Sequence, residues 1–319
     1  MNFYQSKIWK KISKDIFKKD LFEIEIFWKK YWWITKEHKK FWISLNWKQI
    51  LWIEIPLNYN DELILNDLKK IKSSFTSFWN VFFQLGFINE LEQDFYKNRL
   101  VLEKNFLKKY WLFKSLRENM PLATVIVDID KNDDEIFKQF SKSAKRNINK
   151  SIKQNIYFCI ANEKDINNFY KIWENTAKTK WFNIYDYWTY LKLVYFLRYT
   201  NNWNLYLVKK WDTIVSWTIE INMWEDSYYL YWATNRNFTK LWGHYFLKYE
   251  MFKYLKKLWI KRVDLLWVSP NWYNNHHLKW VTQFKHSLWW KHIEYYGNYD
   301  LSLSFLYKFL RILHFKKWI

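Results

Sequence analysis

Glycine is almost missing from this chain of 319 residues. Only three occur, where average usage of about 7% gives roughly 22 in such a length. Proline is equally scarce at three. A fold with many tight turns needs residues that adopt positive φ, and glycine is the default for them. The single cysteine, Cys159, excludes a disulfide framework and a thiolate metal cage. Adjacent His276 and His277 lack zinc-ligand spacing. No apolar run is long enough to be read as a membrane-spanning helix. No signal-peptide pattern opens the sequence, so the expected location is the cytoplasm. Nucleophile signatures are missing too: there is no G-x-S-x-G, no Cys–His pair and no H-E-x-x-H.

What is present in excess is tryptophan, with 25 residues. The glycine deficit nearly equals the tryptophan surplus, and the positions match. Trp47 follows Asn46, where Asn-Gly would signal a hairpin. Trp211 and Trp224 fall between strand-like runs, Trp259 separates a helical stretch from a strand, and Trp289 and Trp290 follow a strand end. Tryptophan has no special access to positive φ. The pattern is that of a gene in which UGA encodes glycine, translated with a table that reads UGA as tryptophan. Trp9 and Trp173 lie in helical patterns and are read as true tryptophans. Lys and Arg number 52 against 31 Asp and Glu, a net charge of +21. The excess is spread along the chain and favours polyanions or an anionic membrane face. An AT-rich genome would account for part of it.

The hydrophobic periodicity predicts a basic helix over 1–18 and strands at 21–27, 41–45 and 49–55. A helix over 61–78, the strand "NVFFQLGF" and a helical stretch through "NELEQDFYKNRLVLEKNFLKKY" follow. "LATVIVDI" (122–129) reads as a buried strand, followed by one long helix with Asp133 and Asp134 at its start, where acidic residues suit the dipole. Strand 156–160, helices 163–179 and 186–199, strands 204–209, 213–221 and 227–233, helix 241–257, and strands 262–266 and 292–296 complete the order. The last segment places Leu306, Phe309, Leu310 and Leu313 on one helical face. Two α+β units succeed one another, each with a mixed, mostly antiparallel sheet in acetyltransferase-like order. The expected division is 1–130, completed by a C-terminal helix over 300–319, and 131–299.

With glycine at the doubtful tryptophans, the chain resembles the FemA/FemB/FemX family of peptidoglycan-bridge aminoacyltransferases. The resemblance rests on "YQSKIWKKI", "ATVIVDI" before "FSKSAKRNINKSIKQNI", "FYKIWENTAKTKWF", "YYLYWATN", "KRVDLLWV" and "VTQFKHSLWWKHIEYYGNYDL", in family order across nearly the whole chain. It implies two acetyltransferase-like (GNAT) domains, here without the coiled-coil arm of some members. It also implies transfer of an amino acid from aminoacyl-tRNA to the stem peptide of lipid II or UDP-MurNAc-pentapeptide. No metal or cofactor is implied beyond the aminoacyl-tRNA co-substrate. The expected protein is a monomer, with peripheral contact to the inner membrane face.

In such a reaction an amine attacks an ester that already carries the activation energy. The protein must position two substrates, manage a proton and stabilise an oxyanion. By resemblance Lys285 matches the family lysine near the reacting ends, where an ammonium would stabilise the oxyanion or hold a tRNA phosphate; without the motif it would be a solvated strand-end lysine. Tyr229 and Tyr231 share one face of a regular strand, and Tyr231 matches a substrate-contacting tyrosine; an aromatic core stripe is the rival reading. Tyr190 matches a nearby family tyrosine. Lys11 matches a lysine that binds precursor phosphate, or is simply an exposed helix lysine. Lys142, Lys145 and Arg146 form a basic helical patch suited to tRNA phosphates, although such clusters are usually only solvated. Two positions depart from the family: Tyr185 stands where some members carry a phosphate-gripping arginine, and Leu85 near the place of an acidic residue. An acyl-CoA-dependent N-acyltransferase is the alternative, but Arg236 and the segment "NRNFTKLWGHYF" lack the spacing of a pyrophosphate loop. A non-catalytic RNA-binding protein is the third reading.

Overall fold

The computed structural model describes residues 5–40, 43–55, 61–75, 80–90, 110, 112–115, 118–200, 203–273, 276–288, 291–304, 306–307 and 311. The chain forms two compact units, one of 1–122, 270–273 and 293–319, the other of 123–269 and 274–292. The division falls at 122/123 rather than 130/131, and residues 293–299 join the first unit. Pairing explains both differences: the strand after 122 hydrogen-bonds within the second sheet and the strand after 292 within the first.

In the first unit a short helix α1 (Lys7–Lys11) and a π-turn (Ile12–Ile16) precede the sheet. Its strands are β1 (Leu21–Ile26), β2 (Lys29–Lys40), β3 (Ile43–Ile53), β4 (Asn80–Glu90), β5 (Leu112–Lys114) and β12 (Lys291–Ser302). They run in the order β1-β2-β3-β4-β12, with β5 also on β12. Among the described residues β3 and β4 pair parallel and the other neighbours antiparallel. Helix α2 (Asp61–Phe75) buries Ile64, Leu68 and Ile71, a four-then-three spacing that makes one apolar face. That face packs into a core with Ile50, Phe83 and Leu85. Leu85 is wholly buried there. The hairpin expected at Trp47 does not form. Trp47 pairs with Lys36 inside β3 and stacks on Phe82 at 5.8 Å. The helical stretch expected over 89–110 and the C-terminal helix fall largely outside the described residues, as do Trp289 and Trp290.

The second unit has the sheet order β6-β11-β10-β9-β8-β7, built from β6 (Ala123–Asp128), β7 (Tyr157–Ile160), β8 (Trp203–Lys210), β9 (Thr213–Met223), β10 (Asp226–Thr234) and β11 (Arg262–Asp264). β10 and β11 are parallel and the other neighbours antiparallel. The helices are α3 (Asp133–Gln139), α4 (Lys142–Ile152), α5 (Glu163–Lys180), α6 (Tyr187–Tyr199), α7 (Gly243–Lys257) and α8 (Lys279–Leu288). The one long helix expected after Asp133 is two. Phe140 is extended (ψ 146°), and the Ser141 hydroxyl accepts the Ala144 amide N–H at 3.1 Å, which caps a new helix. Among the described residues no helix is long and apolar enough to cross a membrane.

Positive φ concentrates on tryptophan. Among the described residues eleven non-glycine residues have φ above zero, and seven are Trp28, Trp181, Trp211, Trp224, Trp242, Trp259 and Trp267. Phe27 and Trp28 are both positive in the two-residue β1–β2 loop, the type I′ arrangement. Trp211 and Trp224 are each positive at the first of two loop positions, the glycine position of type II′ turns. After α7, Trp259 N–H donates to Lys256 C=O and Ile260 N–H to Leu255 C=O. This is a Schellman closure with tryptophan at its glycine position.

Candidate functional site

The candidate residues fall into separate groups in the second unit, with Lys11 alone in the first. Lys11 is exposed at the end of α1. Lys142 and Arg146 are exposed on α4, and the Lys145 ammonium donates to the Lys138 carbonyl at 2.9 Å. Tyr229 and Tyr231 do not share a face. Tyr229 pairs with Glu220 and Tyr231 with Ile219, so Leu230 is one residue too many in β10. This bulge resets the alternation.

On one side of the bulge the Tyr231 ring lies 6.0 Å from both the Trp173 and the Tyr190 ring. Tyr190 is buried on α6, and its hydroxyl accepts the Trp173 indole N–H at 2.8 Å. Burial pushes Tyr190 up to about 12, so it works as a neutral hydrogen-bonding group. Tyr185, also near Tyr190 at 6.4 Å between rings, completes an aromatic cluster.

On the other side Tyr229 faces a group of four buried or half-buried ionisable side chains. Lys285 is carried by α8, not by a strand. Apolar Val281, Phe284 and Leu288 at three- and four-residue spacing make this segment helical. His286 sits 2.9 Å from His292, ring nitrogen to ring nitrogen. Lys285 is 2% exposed, and its ammonium donates to the carbonyls of Leu265 (2.6 Å), Leu266 (2.7 Å) and Trp267 (3.0 Å). Leu266 and Trp267 both have positive φ (50° and 27°). The lysine therefore holds a sharply bent backbone beyond β11. Burial pushes Lys285 down to about 7, the Lys248 ammonium adds to this, and Asp264 and Glu220 oppose it. The three carbonyls also oppose it, since accepting from one nitrogen all at once takes the three N–H groups of an ammonium.

Three members of this group were not legible as site residues: Glu220 on β9, Lys248 on α7 and Asp264 on β11. Lys248 donates to Glu220 at 2.9 Å, both side chains almost wholly buried, and its ammonium lies 3.0 Å from the centre of the Tyr229 ring. Asp264 accepts from the Leu266 amide at 2.8 Å and from the Thr124 hydroxyl. Burial raises it to about 6. Trp232 stacks against Tyr229 at 6.0 Å and contacts Phe284 at 5.7 Å. An open depression of about 730 Å³ lined by Asp128, Asp130, Glu225, Lys261, Arg262 and Lys291 shares no residue with these clusters. Its Arg262 is already held by Asp226 at 2.7 and 3.0 Å. Among the described residues no group of three or more His, Cys, Asp or Glu could hold a metal ion.

No protein-family profile matches the chain, and none of the curated proteins does. Among solved structures it is similar to FemX, with a TM-score of 0.70 at 16% identity over 98% of this chain and 94% of that one. A conserved protein of unknown function from Bacteroides thetaiotaomicron matches with a TM-score of 0.53 at 10% identity, covering 92% and 88%. A tandem GNAT protein from the clavulanic acid biosynthesis pathway matches at 0.49 and 9%, covering 82% and 78%. The chain has the fold of FemX: mixed α+β, with mostly antiparallel sheets.

Proposed function

We propose that the chain is an aminoacyltransferase that moves an amino acid from aminoacyl-tRNA to the stem peptide of a peptidoglycan precursor, lipid-linked or UDP-linked. The likeness to FemX over 98% of the chain carries this reading, together with the ordered motifs of that family in the sequence. In the proposed reaction the precursor amine attacks the ester carbonyl, the new C–N bond forms and the bond to the tRNA oxygen breaks. Lys285, beside the bend at 265–267, supplies positive charge to the oxyanion. Tyr190, Tyr229 and Tyr231 contact substrate, Lys11 holds precursor phosphate, and Lys142, Lys145 and Arg146 attract tRNA phosphates. No metal or cofactor enters the reaction. The protein works as a monomer in the cytoplasm, peripherally at the inner membrane face.

The same reading includes glycine, written as tryptophan, at the positive-φ positions. Its support is conformational: Trp181, at 93% exposed, and Trp259, at 85%, gain no burial that would offset an L-residue in the left-handed region. At Trp47 the backbone offers no such support. Mass spectrometry of the protein from its own cells tests this part, with glycine masses expected at 28, 181, 211, 224, 242, 259 and 267. Tryptophan masses at those positions overturn the recoding.

For the activity, glycine-restored protein is incubated with charged tRNAs and either precursor, and labelled amino acid in the product is counted. Transfer to precursor is the expected result. Transfer from acetyl-CoA instead, or salt-sensitive RNA binding without turnover, replaces the reading with an acyl-CoA enzyme or an RNA-binding protein.

A further inference from the structure

We infer that the outward face of α6, with the loop before it, is a docking surface for an anionic lipid bilayer, so that the precursor is met at the membrane in its lipid-linked form. The inference rests on the peripheral membrane location included in the proposed function. It starts from the apolar side chains that stay in water. With the positive-φ tryptophans set aside, Phe182, Tyr185, Trp188, Tyr195 and Tyr199 are all exposed within 182–199, and no separate stretch of that length among the described residues holds more than three such side chains. Trp188, Lys192, Tyr195 and Tyr199 follow one another at steps of four, three and four residues, which makes a single stripe along α6. Tyr190, Leu193 and Val194 are buried on the opposite side. An ordinary surface helix has one apolar and one polar face. α6 is apolar on both, and a helix of that kind is covered on each side. Tyr199 nevertheless keeps 92% of its surface exposed.

The composition of the stripe selects its occupant. Tyrosine and tryptophan are the side chains of the headgroup zone, where the ring lies at the apolar boundary and the polar tip reaches water. Lysine is depleted at contacts between proteins, yet Lys192 stands in the middle of this stripe. On a bilayer its ammonium stays among the headgroups while its stem lies along the rings. The charge has the matching sign. Lys180 and Lys192 are exposed and have no carboxylate partner among the described residues. The carboxylates at hand are engaged: Asp186 caps α6 by accepting from the Thr189 amide at 2.9 Å, Glu174 pairs with Lys178 at 3.2 Å, and Glu163 lies beside the Tyr195 hydroxyl. Each cation near an anionic leaflet adds attraction that salt weakens. One helix thus carries both surfaces: Tyr190 faces inward to the cluster with Tyr185 and Tyr231, and the stripe faces outward to the lipid.

The test is flotation of the full glycine-restored chain with vesicles of phosphatidylglycerol and phosphatidylethanolamine, beside vesicles of phosphatidylcholine alone. Binding to the anionic vesicles, and much weaker binding to the neutral ones, is the expected result. Tyr195→Ser/Tyr199→Ser should lower the partition coefficient about tenfold, since docking scales with the apolar area buried. Lys192→Gln should lower it about fivefold and make its salt dependence shallower. The three side chains are exposed, so the urea midpoints of both variants should match the parent's. Transfer to lipid-linked precursor in vesicles should fall with binding, while transfer to soluble UDP-linked precursor stays. No binding to anionic vesicles, or binding that these substitutions leave unchanged, overturns the inference. So does a loss of a concentration-dependent dimer or of tRNA affinity in the same variants with vesicle binding intact, which assigns the face to a second copy or to RNA. Transfer to the UDP-linked precursor alone overturns the choice of acceptor. If the chain binds vesicles through α6 but transfers to neither precursor, the docking surface stands and the proposed function fails.

Discussion

Trp211 and Trp224 each hold a positive φ in a two-residue hairpin loop while their indoles lie exposed. An L-residue in that region costs about 1–2 kcal/mol, and an exposed ring offers little packing against the loss. Trp173 is the opposite case: right-handed within α5, buried, and with its indole N–H satisfied by Tyr190. Changing Trp211→Gly and Trp224→Gly in a chain that carries tryptophan should therefore raise stability by about 1 kcal/mol each, after the extra freedom of glycine in the unfolded chain. Trp173→Gly should lower it by about 3–5 kcal/mol. Urea midpoints of the three variants decide this, and a loss of stability at either hairpin would count against glycine there. The anomaly at Trp259 was readable without coordinates because helix termination has strong chemical preferences. Trp28 was not readable, because the run 29–40 after it showed no strand alternation to frame the loop, and Trp267 was legible only through the motif "KRVDLLWV".

At the scale of elements, the order of strands and helices from β6 to β11 followed from apolar periodicity, and the two β9 hairpins from their turn positions. Helix α8 and two boundaries did not. The single helix after Asp133 looked continuous because the apolar spacing runs through Phe140, while the break depends on the cap made by Ser141. The bulge at Leu230 depends on cross-strand register, which one strand's sequence does not contain. Lys285 was legible as a residue to watch but not as the clamp it forms, because its partners are backbone carbonyls twenty residues earlier in the chain. That clamp carries its own prediction. Lys285→Ala leaves three carbonyls of a bent segment without their donor and should cost about 3 kcal/mol of stability, besides any loss of transfer. A chemical-denaturation midpoint unchanged by Lys285→Ala would show that the bend holds itself.

For the whole molecule, a net charge of +21 predicts RNA affinity that falls steeply with salt. Lys142→Glu with Arg146→Glu should weaken binding of charged tRNA and flatten its salt dependence. Filter binding at several salt concentrations reads both effects, and an unchanged slope would move the tRNA surface away from α4. Folding stability has a further pH dependence, centred on Asp300 in β12. The Asp300 carboxyl is buried and accepts from the Ser115 and Tyr307 hydroxyls, with the Arg311 guanidinium 3.9 Å away. Burial raises it from an ordinary 3.8 to about 6, against the pull of those partners. Between these values the folded chain binds a proton that the unfolded chain has lost, so the contribution is present below about pH 4 and is lost as pH rises through 6. Asp300→Asn removes the titration. Relative to that variant, the parent chain should lose up to about 3 kcal/mol between pH 4 and pH 7. Urea midpoints of both proteins across that range measure the difference. A gap that moves in the parent's favour with rising pH would mean that Arg311 and the two hydroxyls outweigh burial, and that the cluster is an ion pair rather than a strained acid.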